Sequence, residues 1–208
     1  MNHSDLTQLI QDYCENTEAS FVANIPRFVR QAEQRIYRTV TIPALRKVTT
    51  LTTTPSGPLL EQPADFLLPL SLAVIDETNQ YSFLYDKDPS FIREAYPGSV
   101  EGLPRFYALI DANHFILGPT PDAEYSIELQ YQYDPEPIME CGTSWLGDNA
   151  ESLLLYGSLV EAYTYLKGDP ELMATYSQRY KAALAQLANI DMRTKRDDYR
   201  DGLIRFGG

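Results

Sequence analysis

Apolar residues recur at helical spacing at both ends of this chain and at strand spacing in its middle. Residues 4–40 read as two helices. Ser4 is placed to cap the first, which carries Leu6, Leu9, Ile10 and Tyr13 at i, i+3, i+4 and i+7. The second is expected to start at NIPRF. Asn24 or Ile25 would stand near its cap and Pro26 in its first turn, where a missing N–H costs nothing. Its apolar face is Phe28, Val29, Ala32 and Ile36; opposite lie Arg27, Arg30, Gln31, Gln34, Arg35 and Arg38.

From about residue 46 to 134 the period shortens to two. KVTTLTTT is rich in β-branched residues, and LPLSLAVID and YSFLY are short runs joined by Glu77–Gln80, a hairpin connection. A second hairpin is expected around Asp111, Ala112 and Asn113. EYSIELQYQYDP alternates most cleanly, with Tyr125, Ile127, Leu129, Tyr131 and Tyr133 on one face and Ser126, Glu128, Gln130 and Gln132 on the other. The 14 prolines concentrate in and around this region, as strand ends and turns require. DPSFIREAYPG reads as one short helix capped by Asp88.

Residues 148–190 return to helix. Asp148 or Asn149 would cap the first, with Glu151 near the third position; KGDPE ends it and begins the next, with Gly168 terminating, Asp169 capping and Pro170 leading. The last helix has the stripe Leu172, Met173, Tyr176, Tyr180, Ala183, Leu184, Leu187 and Ile190. The expected fold class is α+β: a discontinuous helical bundle (1–45 and 146–190), an inserted, mainly antiparallel β domain (46–145) and an extended C-terminal arm (191–208).

Composition narrows the functional classes. The chain has 208 residues, 44% hydrophobic, with a formal net charge of -12, enough to bury a core and too acidic to bind DNA generally by counterion release. The arm holds Arg193, Lys195, Arg196, Arg200 and Arg205 against four aspartates. Neither a signal peptide nor a membrane span is visible, and Cys14 and Cys141 read as free thiols.

Candidate chemistry is sparse. His3 and His114 have no metal-ligand spacing, LYGSLV lacks the nucleophile-elbow glycines, Asp86 and Asp88 could mimic a metal-binding pair but Asp88 before Pro89 fits a helix cap, and Asp122 and Glu124 fit a turn. No cofactor, metal or catalytic residue is expected. A carboxylate-dependent hydrolase is the rival reading, and it would need a concave pocket with perturbed carboxyls.

Two features point to assembly. Arg27, Arg30, Arg35 and Arg38 make a cationic face on an acidic protein; the face is either solvated or set against acidic surface on a neighbour. The helix at 148–167 is apolar nearly all round. One stripe is Leu155, Leu159, Ala162, Tyr163 and Leu166; the other is Leu153, Gly157, Val160 and Thr164. Either this helix is the centre of one subunit's bundle, or Leu153, Gly157 and Val160 pack against another copy.

Four segments, in order, carry a resemblance: IPRFVRQAEQRIYRTVTIPALRKV, QPADFLLPLSLAV, EAYPGSVEGLPRFYALIDANHFILGPTPDAEYSIELQYQYDP and WLGDNAESLLLYGSLVEAYTYLKGDPELMATYSQRYKAALAQL. Together, over residues 5–190, they resemble the head-to-tail adaptor (connector) proteins of tailed bacteriophages, the tail tubular A-like and podovirus adaptors. The resemblance implies a non-enzymatic virion protein at the capsid–tail junction, forming a ring, typically twelve-fold, under the portal protein. It implies that tail, nozzle or tail-fibre proteins dock below and that DNA passes through without sequence-specific binding. It also implies an arm reaching the portal, with Arg196, Tyr199, Arg200, Leu203, Ile204, Arg205 and Phe206 as anchors. A minor capsid or tail-completion protein without a ring is the alternative.

Overall fold

A computed structural model describes residues 1–76, 78–97 and 100–194, with side chains through Ala188. The helices are α1 (His3–Cys14), α2 (Ala19–Thr39), α3 (Pro89–Ala95), α4 (Ile138–Cys141), α5 (Trp145–Asn149), α6 (Glu151–Leu166) and α7 (Pro170–Thr194). The strands are β1 (Arg46–Thr52), β2 (Leu59–Glu61), β3 (Phe66–Ile75), β4 (Tyr81–Phe83), β5 (Tyr85–Asp86), β6 (Phe106–Leu109), β7 (His114–Gly118) and β8 (Ser126–Tyr133). The fold is α+β. The chain divides into two compact units, residues 1–44 with 135 onward, and residues 45–134.

In the helical unit, α6 packs against α1, α2, α5 and α7. Its apolar circumference follows: Leu153, Leu154, Leu155, Gly157, Ser158, Leu159 and Ala162 are all buried. Gly157 permits a close approach, because a Cβ there would sit 3.1 Å from the Ala32 Cβ of α2 and 3.2 Å from the Tyr180 ring of α7.

Helix starts differ from expectation in three places. Asn2, not Ser4, caps α1: its Oδ1 accepts from the Asp5 N–H at 2.9 Å while Asp5 Oδ2 accepts from the Asn2 N–H at 3.3 Å. α2 begins at Ala19, so Pro26 lies inside it. The helix survives because Phe21 and Ile25, buried on the same stripe as Phe28 and Val29, anchor the turns before the proline, whose ring is exposed. Asp148 and Asn149 lie within α5, which Ser144 caps through Gly147 N–H. Ala150 then breaks the helix, and α6 starts with no side-chain cap because the Ala150 carbonyl accepts from Leu153 and Leu154 N–H and its own N–H donates to Leu146.

α6 ends at a left-handed residue, Lys167, rather than at Gly168. Gly168 is needed for space, since a Cβ would come 2.6 Å from the Tyr163 ring. Asp169 then accepts from Glu171 N–H, and Pro170 leads α7. Along α7, Tyr176, Tyr180 and Leu187 are buried, but Leu172 is 43% exposed. A repeat of four falls about 40° ahead of the helical turn at each step, which carries Leu172 off the face that Tyr180 defines.

The insert ends earlier than alternation suggested. Pro135 returns the chain to the helical unit, ahead of residue 146. The reason is α4, which is too short for periodicity to reveal. Its first N–H, from Ile138, donates at 3.2 Å to Oε1 of Glu33, a buried residue of α2. Cys141, expected in a loop, closes α4, and α7 continues through Asp191–Thr194, residues expected to belong to the arm.

The β unit contains two four-stranded sheets, ordered β1-β8-β3-β4 and β2-β7-β6-β5. The pairings between these strands are antiparallel except β5 with β6, and an isolated Glu101–Thr120 bridge is also parallel. Leu60, Leu72, Val74, Leu84, Tyr107, Phe115, Leu117, Ile127, Leu129 and Tyr131 form the core between the sheets. α3 covers the outer face of the second sheet, with Ile92 packed on Ala108 and Ile116. The chain crosses from one sheet to the other at Leu84, whose N–H donates to Leu72 before the Tyr85 N–H donates to Arg105. Gln132 is buried, although alternation places it on the polar side of β8; Arg46 and Leu68 flank it there.

Candidate functional site

The expected cationic face is present on α2. Arg27, Arg30, Gln31, Gln34, Arg35 and Arg38 are exposed, and the one acidic residue inside this helix, Glu33, faces inward. Two carboxylates border the face. Glu140 at the end of α4 stands 3.8 Å from Arg30, and Glu161 of α6 pairs with Arg35, whose guanidinium also lies 5.8 Å from the Tyr180 ring centroid. Exposed pairs of this kind contribute about 0–1 kcal/mol, so they orient the arginines more than they stabilise the fold. Arg27 and Arg38 have no ion pair among the described residues. One shallow groove, lined by Pro26, Arg27, Arg30, Pro137, Met139 and Glu140, flanks the face; another is lined by Gln31, Gln34, Arg35, Arg38, Thr39 and Glu161.

Two of the three residues expected on a second surface are taken up inside the chain. Leu153 is 2% exposed and Gly157 is wedged between Ala32 and Tyr180, so both are used up inside the chain. Val160 is half-buried on the same helix. The all-round apolar pattern of α6 is that of a central bundle helix, and it needs no second copy to cover it. Arg196, Tyr199, Arg200, Leu203, Ile204, Arg205 and Phe206 lie outside the described residues.

Asp86 lies in β5, paired with Tyr107, and the other acidic candidates are turn and cap residues. Asp88 accepts from Ser90 N–H at the start of α3, which holds its carboxyl below the usual range. Asp111 is lowered by the Asn113 N–H and lies 3.0 Å from His114 Nδ1. Asp76 is lowered mainly by the Thr78 hydroxyl, and Asp122 accepts from the Tyr125 hydroxyl at 2.6 Å. Asp65 is lowered most by Lys47, whose Nζ lies 2.5 Å from it. Lowered carboxyls stay ionised at neutral pH, which suits caps and is the wrong direction for a general acid. Among the described residues, no group of three or more His, Cys, Asp or Glu is placed to hold a metal ion, and no helix is long and apolar enough to cross a membrane.

Sequence reasoning missed the outer face of the first sheet. Phe83, Ala73, Glu128 and Thr50 form one row across its four strands; Tyr81, Ile75, Ser126 and Thr52 form the next. Tyr81 and Phe83 stack with centroids 6.4 Å apart and are 49% and 50% exposed. The Tyr81 hydroxyl donates to Glu128 at 3.2 Å. The signal was the alternation in YSFLY, which puts Tyr81 and Phe83 on the same side; which side needed the partner strand.

No curated protein matches the chain. A family model described as SU10 adaptor protein matches residues 1–205. The cationic helix face and the open sheet face thus stand on a chain matched along nearly its whole length, and this chain belongs to the SU10 adaptor protein family, a family of phage head-to-tail adaptors.

Proposed function

We propose that copies of this chain assemble into a ring, twelve-fold in symmetry, below the portal protein of the capsid. The ring would extend the DNA channel and present a platform for tail, nozzle or tail-fibre proteins. The adaptor role and the place in the virion come with the family. The observation that supports the finer reading is the length of the match, residues 1–205, which takes in the helical unit, the β unit and the segment assigned to the arm. In this reading Arg27, Arg30, Arg35 and Arg38 face a neighbouring copy. The residues after α7, 195–208, form the arm that reaches the portal, anchored by Arg196, Tyr199, Arg200, Leu203, Ile204, Arg205 and Phe206. The protein's work is structural.

Charge supports a passage role. With a net charge of -12, the ring would repel phosphate, so DNA slides through it instead of condensing on its wall. Cryo-electron microscopy of the capsid vertex tests the reading. The expected result is this chain in a ring between portal and tail, with residues 195–208 against the portal. A vertex lacking the chain would sink it. The passage role has its own test: purified protein should not retain duplex DNA at ~0.1 M salt, and micromolar binding there would exclude a repelling lumen.

A further inference from the structure

Two copies of an acidic chain repel each other unless oppositely charged patches meet. Residues 45–134 hold thirteen Asp and Glu against five Lys and Arg. The face of α2 is the reverse: four exposed arginines and only two bordering carboxylates. Arg27 and Arg38, at the ends of that face, have no ion pair among the described residues. Guanidinium does not deprotonate at any working pH, so the face stays cationic.

The outer face of the first sheet has matching chemistry. Glu128 sits at its centre, and Glu124, exposed, lies at the start of β8. The basic residues of this sheet, Arg46 and Lys47, lie at the other end of β1, opposite Gln132 and Tyr131. Tyr81 and Phe83 stand half-exposed beside Glu128. The Tyr81 and Phe83 end of this face is half-exposed, whereas Gln132 at its other end is buried and α3 covers the outer face of the other sheet. A carboxylate beside a flat aromatic face is what guanidinium recognises best, by charge-assisted hydrogen bonds at its edge and stacking on its plane.

The dimensions agree. From Arg27 to Arg38 is about 16 Å along a helix. From Glu124 to Glu128 is four residues of extended chain, about 13 Å.

We propose that the arginine face of α2 in one copy seats on the open acidic and aromatic face of the first sheet in the next copy. Arg27 and Arg38 pair with Glu124 and Glu128 and stack on Tyr81 and Phe83. Each chain carries one face of each kind, so the contact is heterologous, the kind that builds a ring where the rotation between copies closes. The inference rests on the ring reading and names the surfaces that make the ring.

Charge reversal tests it on the full chain. The readout is the stoichiometry of assembly on purified portal, by sedimentation and native mass spectrometry. Arg27→Glu with Arg38→Glu should weaken assembly roughly a hundred-fold, and so should Glu124→Arg with Glu128→Arg. All four substitutions in one chain restore opposite charges and should recover assembly to within about tenfold. Unchanged circular dichroism should accompany each variant, because all four sites are exposed or half-buried. Assembly that persists in both reversed pairs, or fails to recover in the fourfold variant, overturns this contact and leaves the ring standing. Wild-type copies that stay monomeric with and without portal overturn the ring reading itself.

Discussion

The two units handle apolar surface in opposite ways. The helical unit surrounds its most apolar element: α6 is covered by α1, α2, α5 and α7, down to a glycine where a methyl group would be crowded by Ala32 and Tyr180. The β unit buries one face of its first sheet against the second and leaves Tyr81 and Phe83 half-exposed on the other. An apolar pattern therefore does not mark a contact surface. α6 has the strongest pattern in the chain and is spent internally, whereas the alternation of β4 leaves Tyr81 and Phe83 half-exposed.

Substitutions can break this contrast or sharpen it. The largest effect is expected in α6. Leu159→Ala removes a side chain of zero exposure and should cost about 2–5 kcal/mol in denaturant unfolding. Gly157→Val forces a branched side chain between Ala32 and Tyr180 and should cost about 1–3 kcal/mol, with loss of helical signal at a lower midpoint. A wild-type midpoint for Gly157→Val would mean that α2 and α7 give way freely. Glu33→Ala orphans the Ile138 N–H and should cost about 1–3 kcal/mol, which hydrogen exchange would register first in α4.

Acid should act next, and on the other unit. Asp65, Asp76, Asp88 and Asp111, all in the β unit, have folded pKa values below the ordinary one. Groups lowered in this way add stability above the unfolded pKa of about 4, and that stability is lost as pH falls through the folded values. Near-ultraviolet circular dichroism of the tyrosine-rich core should therefore weaken below about pH 4. The smallest effect is at the open face: Phe83→Ser should change stability by no more than about 0.5 kcal/mol. A loss of several kcal/mol would show that this face is covered.

Much of the fold was legible wherever a period ran long enough. α1, α6, α7, the hairpins β3–β4 and β6–β7, and the alternation of β8 follow from spacing and turn residues. Pro26 misled because proline at a helix start and proline tolerated mid-helix look alike until Phe21 and Ile25 are seen to share the buried stripe. Sheet membership was not legible. β2 pairs with β7 and β5 runs parallel to β6 through contacts that no local pattern encodes. Of the candidate site, the arginine face could be read directly, because helical period separates it from Phe28, Val29, Ala32 and Ile36. Its bordering acids Glu140 and Glu161, and the outward side of Tyr81 and Phe83, depend on tertiary packing.

The split helical unit also sets a timetable. Residues 45–134 are contiguous and emerge from the ribosome as a whole, but α2 leaves it long before α6, the helix that covers its apolar stripe. At about 5–20 residues per second, Phe28, Val29 and Ile36 wait on the order of ten seconds for that cover. The nascent chain therefore completes the β unit first and carries an unfinished helical hairpin ahead of it. Holdase chaperones should be found on that hairpin until the segment beginning at Glu151 has been made.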